Sequence, residues 1–147
     1  MKRALLIGLA VFFVVLVIVG IYLAGSPREA RAKRFDEVRV QDLNAISNAV
    51  NNYYDRNEKM PETITQLDEY NQKAFNQTLN LNDPQSAAPY EYRVVSTTTR
   101  EFELCAQFNL ESRTDKRAYN PYGTNSIWDH EAGRDCFTQV ANGYRND

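Results

Sequence analysis

The chain has 147 residues, 17 Lys/Arg against 19 Asp/Glu, one histidine and two cysteines. That length suits one modest core beside a helical segment and argues against several domains. Residues 1–34 hold six Lys/Arg and only Glu29, which leaves 11 basic and 18 acidic side chains in residues 35–147; so acidic a domain lacks the positive footprint that phosphate contact requires, and no nucleic acid partner is expected.

Ala4 to Ala24 reads ALLIGLAVFFVVLVIVGIYLA, without a charge. A bilayer core takes roughly 20 helical residues, so this run predicts a membrane anchor in contact with the lipid bilayer. A cleaved secretory signal is the main alternative, but its apolar core spans roughly 7–15 residues before small residues at the cut, and here Tyr22 occupies the −3 position of Tyr22-Leu23-Ala24. A buried core helix is the third reading. Residues 1–29 are thus expected to form a cytoplasmic stub, a transmembrane anchor and a juxtamembrane linker. Arg28, Arg31, Lys33 and Arg34 would sit against headgroups. Lys2 and Arg3 favour an N-inside start, whereas the later basic residues favour the reverse. Cys105 and Cys136 break the tie: an even pair in a small, loop-rich domain suits an oxidising compartment. The expected localisation is therefore a single-pass membrane protein with its C-terminal domain, residues 30–147, periplasmic or extracellular. Two unpaired buried thiols are the alternative to a bridge.

Pro27 would kink or end a continuing helix. From Ala30 to Arg56-Asn57, apolar residues at Phe35, Val38, Leu43, Ile46, Val50 and Tyr53 follow the spacing of one helix face. Arg39, Asp42, Asn48, Asn52 and Asp55 fall on the other side. Met60-Pro61-Glu62-Thr63 predicts a turn, with Pro61 in the first turn of a short helix whose inward residues are Ile64 and Leu67. Asn80 to Pro84 predicts a loop. Tyr90 to Val95 and Phe102 to Phe108 alternate with a period of two, which marks strands with one buried face. Ser96 to Arg100 would join them as a hairpin, and Cys105 falls on the face away from the core. Cys136 to Val140 predicts a last short strand. The fold class expected is α+β: an N-terminal transmembrane helix, then an amphipathic helix packed on a small antiparallel sheet.

Several stretches carry a family likeness. Asp42-Leu43-Asn44-Ala45-Ile46 followed by Asn51-Asn52-Tyr53-Tyr54 resembles the amphipathic helix of type IV pilins and type II secretion pseudopilins. Met60-Pro61-Glu62-Thr63-Ile64 resembles the turn after it, and Asn82-Asp83-Pro84 through Pro89-Tyr90-Glu91-Tyr92 resembles the entry to their sheet. Leu104-Cys105-Ala106 and Gly133-Arg134-Asp135-Cys136-Phe137 correspond to the paired cysteines of the tail. The chain departs from the family in one respect: no acidic residue precedes Glu29, so the prepilin-peptidase signature and its glutamate are missing. The resemblance implies a pilin-like structural or interaction protein of a pilus or secretion-type assembly. Its partners would be other pilin-like subunits or secretion-system proteins. A membrane-tethered ligand-binding or sensing module that does not polymerise is the alternative.

His130, in Trp128-Asp129-His130-Glu131, has no nucleophile motif beside it, and no enzyme is expected. Asp129, Glu131 and Asp135 are the candidate ligands for calcium, which takes six to eight oxygens; the resemblance raises this reading because some pseudopilins bind calcium in their C-terminal loop. No other cofactor is expected. Tyr119, Tyr122 and Trp128 are the candidates for a partner surface, as Tyr and Trp are favoured in interfaces.

Overall fold

A computed structural model describes residues 2–24, 26–112 and 127–142, with the side chains of the first helix described at 8–17, 19 and 20. The chain divides into two compact units, Met1–Ala32 and Lys33–Asp147. In the first, helix α1 spans Lys2–Ala24. Its large apolar side chains from Leu9 to Val19 are 46% to 67% exposed. Because they occupy consecutive positions, they point to every side of the helix.

The expected transmembrane anchor and the localisation built on it are corrected. Among the described residues no helix is long and apolar enough to cross a membrane. Helix α2, Pro27–Asn57, has the length at 31 residues but carries charges along it. What holds of the expected fold class is an α+β arrangement of helices and a three-stranded antiparallel sheet.

Pro27 does not break a helix here; it opens α2. Proline suits a first helical position because the N–H it lacks would go unpaired there, and the Ala30 N–H reaches the Ser26 carbonyl at 3.1 Å. Glu29 in the first turn and Arg56 in the last complement the helix dipole. The buried stripe of α2 is Asp36, Arg39, Leu43, Ile46 and Val50, at the three-to-four spacing of one face. Its C-terminal part is apolar and its first two positions are charged. The expectation that Arg39 and Asp42 face solvent is therefore wrong: they are 2% and 7% exposed.

Helix α3, Ile64–Phe75, starts one turn later than the proline suggests. Thr63 is its N-cap, accepting from the Gln66 N–H at 3.1 Å. Asn76 closes it in the left-handed conformation at φ 54°, its N–H donating to the Gln72 carbonyl. Pro61 lies before the helix, buried, and its carbonyl accepts from the Tyr92 hydroxyl at 2.8 Å.

Strands β1 (Glu91–Ser96), β2 (Glu101–Phe108) and β3 (Gly133–Val140) form a sheet in the order β1-β2-β3. Both pairings are antiparallel. Phe102, Leu104, Phe108 and Phe137 meet Leu43, Ile46 and Val50 of α2 and Leu67 of α3 in one core cluster. Burying each such side chain contributes about 1.5–3 kcal/mol.

The charged end of the α2 stripe is tied down by hydrogen bonds. Arg39 donates to both oxygens of Asp83, to Asp36 Oδ1 at 2.6 Å and to Gln85 Oε1 at 3.0 Å. Asp36 also accepts the backbone N–H groups of Asn109 and Leu110, each at 2.9 Å, just past the end of β2. One turn on, Asp42 accepts from the Tyr90 hydroxyl at 2.9 Å and from Asn80 Nδ2 at 3.1 Å. Burial alone would raise the Asp83 carboxyl, but Arg39 and the N–H groups of Ser86 and Gln85 outweigh it and hold the group well below the usual carboxylate range. Burial, then the Asp42 carboxylate, pushes the Tyr90 hydroxyl up.

Removing Arg39 leaves two buried carboxylates without their cation. Arg39→Ala should cost about 3–5 kcal/mol, read from urea unfolding at neutral pH; a loss under 1 kcal/mol, the range of an exposed ion pair, would contradict the burial argument.

The lowered Asp83 group also sets a pH dependence. Below about pH 4 the unfolded chain takes up a proton at this position that the native state refuses. The stabilisation from this group is complete above that pH and is lost as pH falls from about 4 toward 2. Asp83→Asn should flatten the curve of unfolding free energy against pH over that window; an unchanged slope would refute the assignment.

Candidate functional site

The outer face of the sheet is built by the same alternation that fills the core. With Phe102, Leu104, Ala106 and Phe108 turned inward, Glu103, Cys105 and Gln107 turn outward. The register then sets Glu91, Cys105 and Cys136 in one row across the three strands, and Arg93, Glu103 and Thr138 in the next. Cys105 and Cys136 are joined in a disulfide, their Cα atoms 4.1 Å apart. The bridge lies in an open cleft of about 420 Å³ walled by Glu91, Arg93, Glu103 and Arg134.

The walls are paired. Arg134 grips Glu91 with two bonds, Nε to Oε1 at 2.9 Å and Nη2 to Oε2 at 2.7 Å. Arg93 Nε lies 3.0 Å from Glu103 Oε2. The Arg134 hydrogen bonds hold the Glu91 carboxyl below its ordinary range, and Glu91 in turn raises Arg134. Both are exposed, so the pair adds little to stability. Its effect is positional: Arg134 Nη2 is held 3.4 Å from Cys105 Sγ.

Glu103, Cys105 and Cys136 form the only grouping of three metal-ligand side chains among the described residues, within 4.8 Å of one another. With both sulfurs bonded to each other, the oxidised protein offers only the Glu103 carboxylate. Asp129, Glu131 and Asp135, the candidate calcium ligands, form no such grouping. Asp135 instead caps the turn into β3, accepting the N–H groups of Glu131 at 3.1 Å and Cys136 at 2.8 Å.

Trp128 belongs to the core and not to a partner surface: it is 5% exposed and meets Phe137 edge-on at 5.0 Å. A large apolar ring next to the sheet gains more from burial than from exposure. Tyr119 and Tyr122 lie outside the described residues. His130 is buried and stacks on Phe108 at 3.6 Å, with Nδ1 2.9 Å from the Trp128 carbonyl. Its backbone N–H donates to Ser112 Oγ at 2.8 Å. These contacts hold His130 against the end of β2.

The alternating pattern placed Glu91, Arg93, Glu103 and Cys105 outside the core, but nothing in composition marked them as one site. Arg134 was missed because the apolar pattern of β3 starts at Phe137, after the residue that completes the cleft. No family model, curated protein or solved structure matches the chain.

The bridge spans 31 residues of sequence. Replacing both cysteines by serine should lower the unfolding free energy by about 3–4 kcal/mol, measured by urea titration without reductant. Unchanged stability would mean that the unfolded chain gains no freedom from its loss.

Proposed function

We propose that the protein is a pilin-like structural or interaction subunit of a pilus- or secretion-type assembly. The observation that carries this reading is α1, whose apolar side chains from Leu9 to Val19 stay 46% to 67% exposed on all sides. A helix apolar all round is stable in water only when something covers it, and contiguous apolar surface of this kind marks an interaction site. The α1 helices of further copies would supply a matching cover. The chain after α1 adds support through its element order: a long helix, a short one, then an antiparallel meander with a disulfide joining its last two strands. That is the order expected from the pilin-like stretches in the sequence.

Sedimentation velocity of the full chain should show a defined oligomer that the double substitution Phe13→Asp, Val15→Asp disperses to monomer. A monomeric full chain, or aggregates that persist in the double variant, would overturn the proposal. A monomer whose melting temperature rises with a ligand would point instead to a binding or sensing module.

A further inference from the structure

We infer that the Cys105–Cys136 bridge is a thiol–disulfide exchange site, opened in the folded protein by a dithiol reductant that attacks Cys136 and expels Cys105 as a thiolate beside Arg134. Three observations carry this.

The first is access. Cys105 is 3% exposed while Cys136 is half-buried, so Cys136 is the more accessible of the two cysteines that line the cleft. A nucleophile must approach along the S–S axis from the side opposite the leaving sulfur. Attack on Cys136 leaves Cys105 as the departing group, the buried sulfur that Arg134 contacts.

The second is the electrostatics of that departure. Thiolates form more readily next to arginine, and a more acidic leaving thiol departs faster. Arg134 Nη2 stands 3.4 Å from Cys105 Sγ, in place before any reaction. Glu103 Oε2, 3.7 Å from the same sulfur, opposes the developing charge. Its carboxylate is paired with Arg93, which reduces that opposition. Glu91 faces the site through Arg134 and draws off part of its charge.

The third is that opening the bridge leaves the fold's other ties in place. Cys105 and Cys136 are opposite residues of a β2–β3 ladder that continues on both sides, from Glu101↔Val140 to Phe108↔Gly133. Their neighbours Leu104 and Phe137 face inward and stay in the core.

The chemistry balances as a two-electron exchange. A thiolate of the dithiol attacks Cys136 Sγ; the Cys105–Cys136 bond breaks, its electron pair leaves with Cys105, and a mixed disulfide forms. The second thiol of the reductant, once deprotonated, attacks its own mixed-disulfide sulfur and releases Cys136. The products are a cyclic disulfide and two protein thiols, the two protons of the reductant ending, by way of water, on Cys105 and Cys136.

The experiment treats the oxidised full chain with dithiothreitol, and separately with glutathione, at neutral pH without denaturant, followed by alkylation and peptide mass spectrometry. Bridge opening with near-UV circular dichroism retained, and a glutathione adduct confined to Cys136, are expected. Arg134→Gln should slow opening by roughly 3- to 10-fold, because a less acidic leaving thiol departs more slowly. Arg134→Lys should recover part of the rate. Reduction that requires denaturant, an adduct on Cys105, or an Arg134→Gln rate equal to that of the unchanged chain would each overturn the inference.

Discussion

Arg39 is the interaction on which the second unit closes. Its guanidinium joins three segments far apart in sequence: its own helix through Asp36, the turn at Asp83 to Ser86, and the exit from β2 through the Asp36 bonds to Asn109 and Leu110. Two buried carboxylates, Asp36 and Asp83, pair with this one buried cation, and a third, Asp42, is buried one turn on. The surplus negative charge is met by backbone N–H groups and by Asn80 and Tyr90, and no described buried polar side-chain atom lacks a partner. Such a network contributes less net stability than its bond count suggests, because every charge in it has left water. What it adds is register. Sliding α2 by one turn would move Arg39 away from Asp83 and leave both charges buried and unpaired, a cost of several kcal/mol that the apolar stripe alone would not impose.

The sheet separates two chemistries by one residue. Leu104 and Cys105 are neighbours in the chain, yet one lies in the apolar core and the other on the charged outer face. The same holds for Phe137 and Cys136. The core face therefore sets the fold while the outer face is free to carry reactive groups, because successive side chains point to opposite faces of the sheet. The Arg134–Glu91 pair illustrates the freedom. It is exposed and worth little as an ion pair, but its two-point geometry orients a guanidinium toward a sulfur.

Legibility in the sequence followed how local each determinant is. β1 and β2 were readable to within one residue, since alternation over six to eight positions has no competing reading. The outward position of Cys105 followed from the same pattern. The buried ends of Arg39 and Asp42 were not readable, because a helix face is assigned by polarity, and partners 38 to 48 positions away reversed that assignment. The start of α3 shifted for a local reason: Pro61 is a plausible first-turn residue, but the Thr63 hydroxyl satisfies the N–H of Gln66 and fixes the cap. β3 begins three residues before the expected start at Cys136, at Gly133 with φ 112°, a conformation that side chains rarely adopt. The expected membrane span rested on apolar length alone, a criterion that no described helix meets.

The two cross-links of the domain, the Arg39 network and the disulfide, differ in what they can tolerate. The Arg39 network lies where α2, the 83–86 turn and the end of β2 converge, so a change there loosens all three at once. The bridge lies within a ladder that already pairs β2 with β3 over its full length. In the unfolded chain it restricts a long loop; in the folded chain it restricts strands already held by backbone bonds and by Phe137 in the core. Its stabilising effect is thus exerted mainly on the unfolded state. That is the condition under which a covalent link can be broken and remade without disturbing the native arrangement, and it follows from placing the two cysteines opposite each other on the outer face.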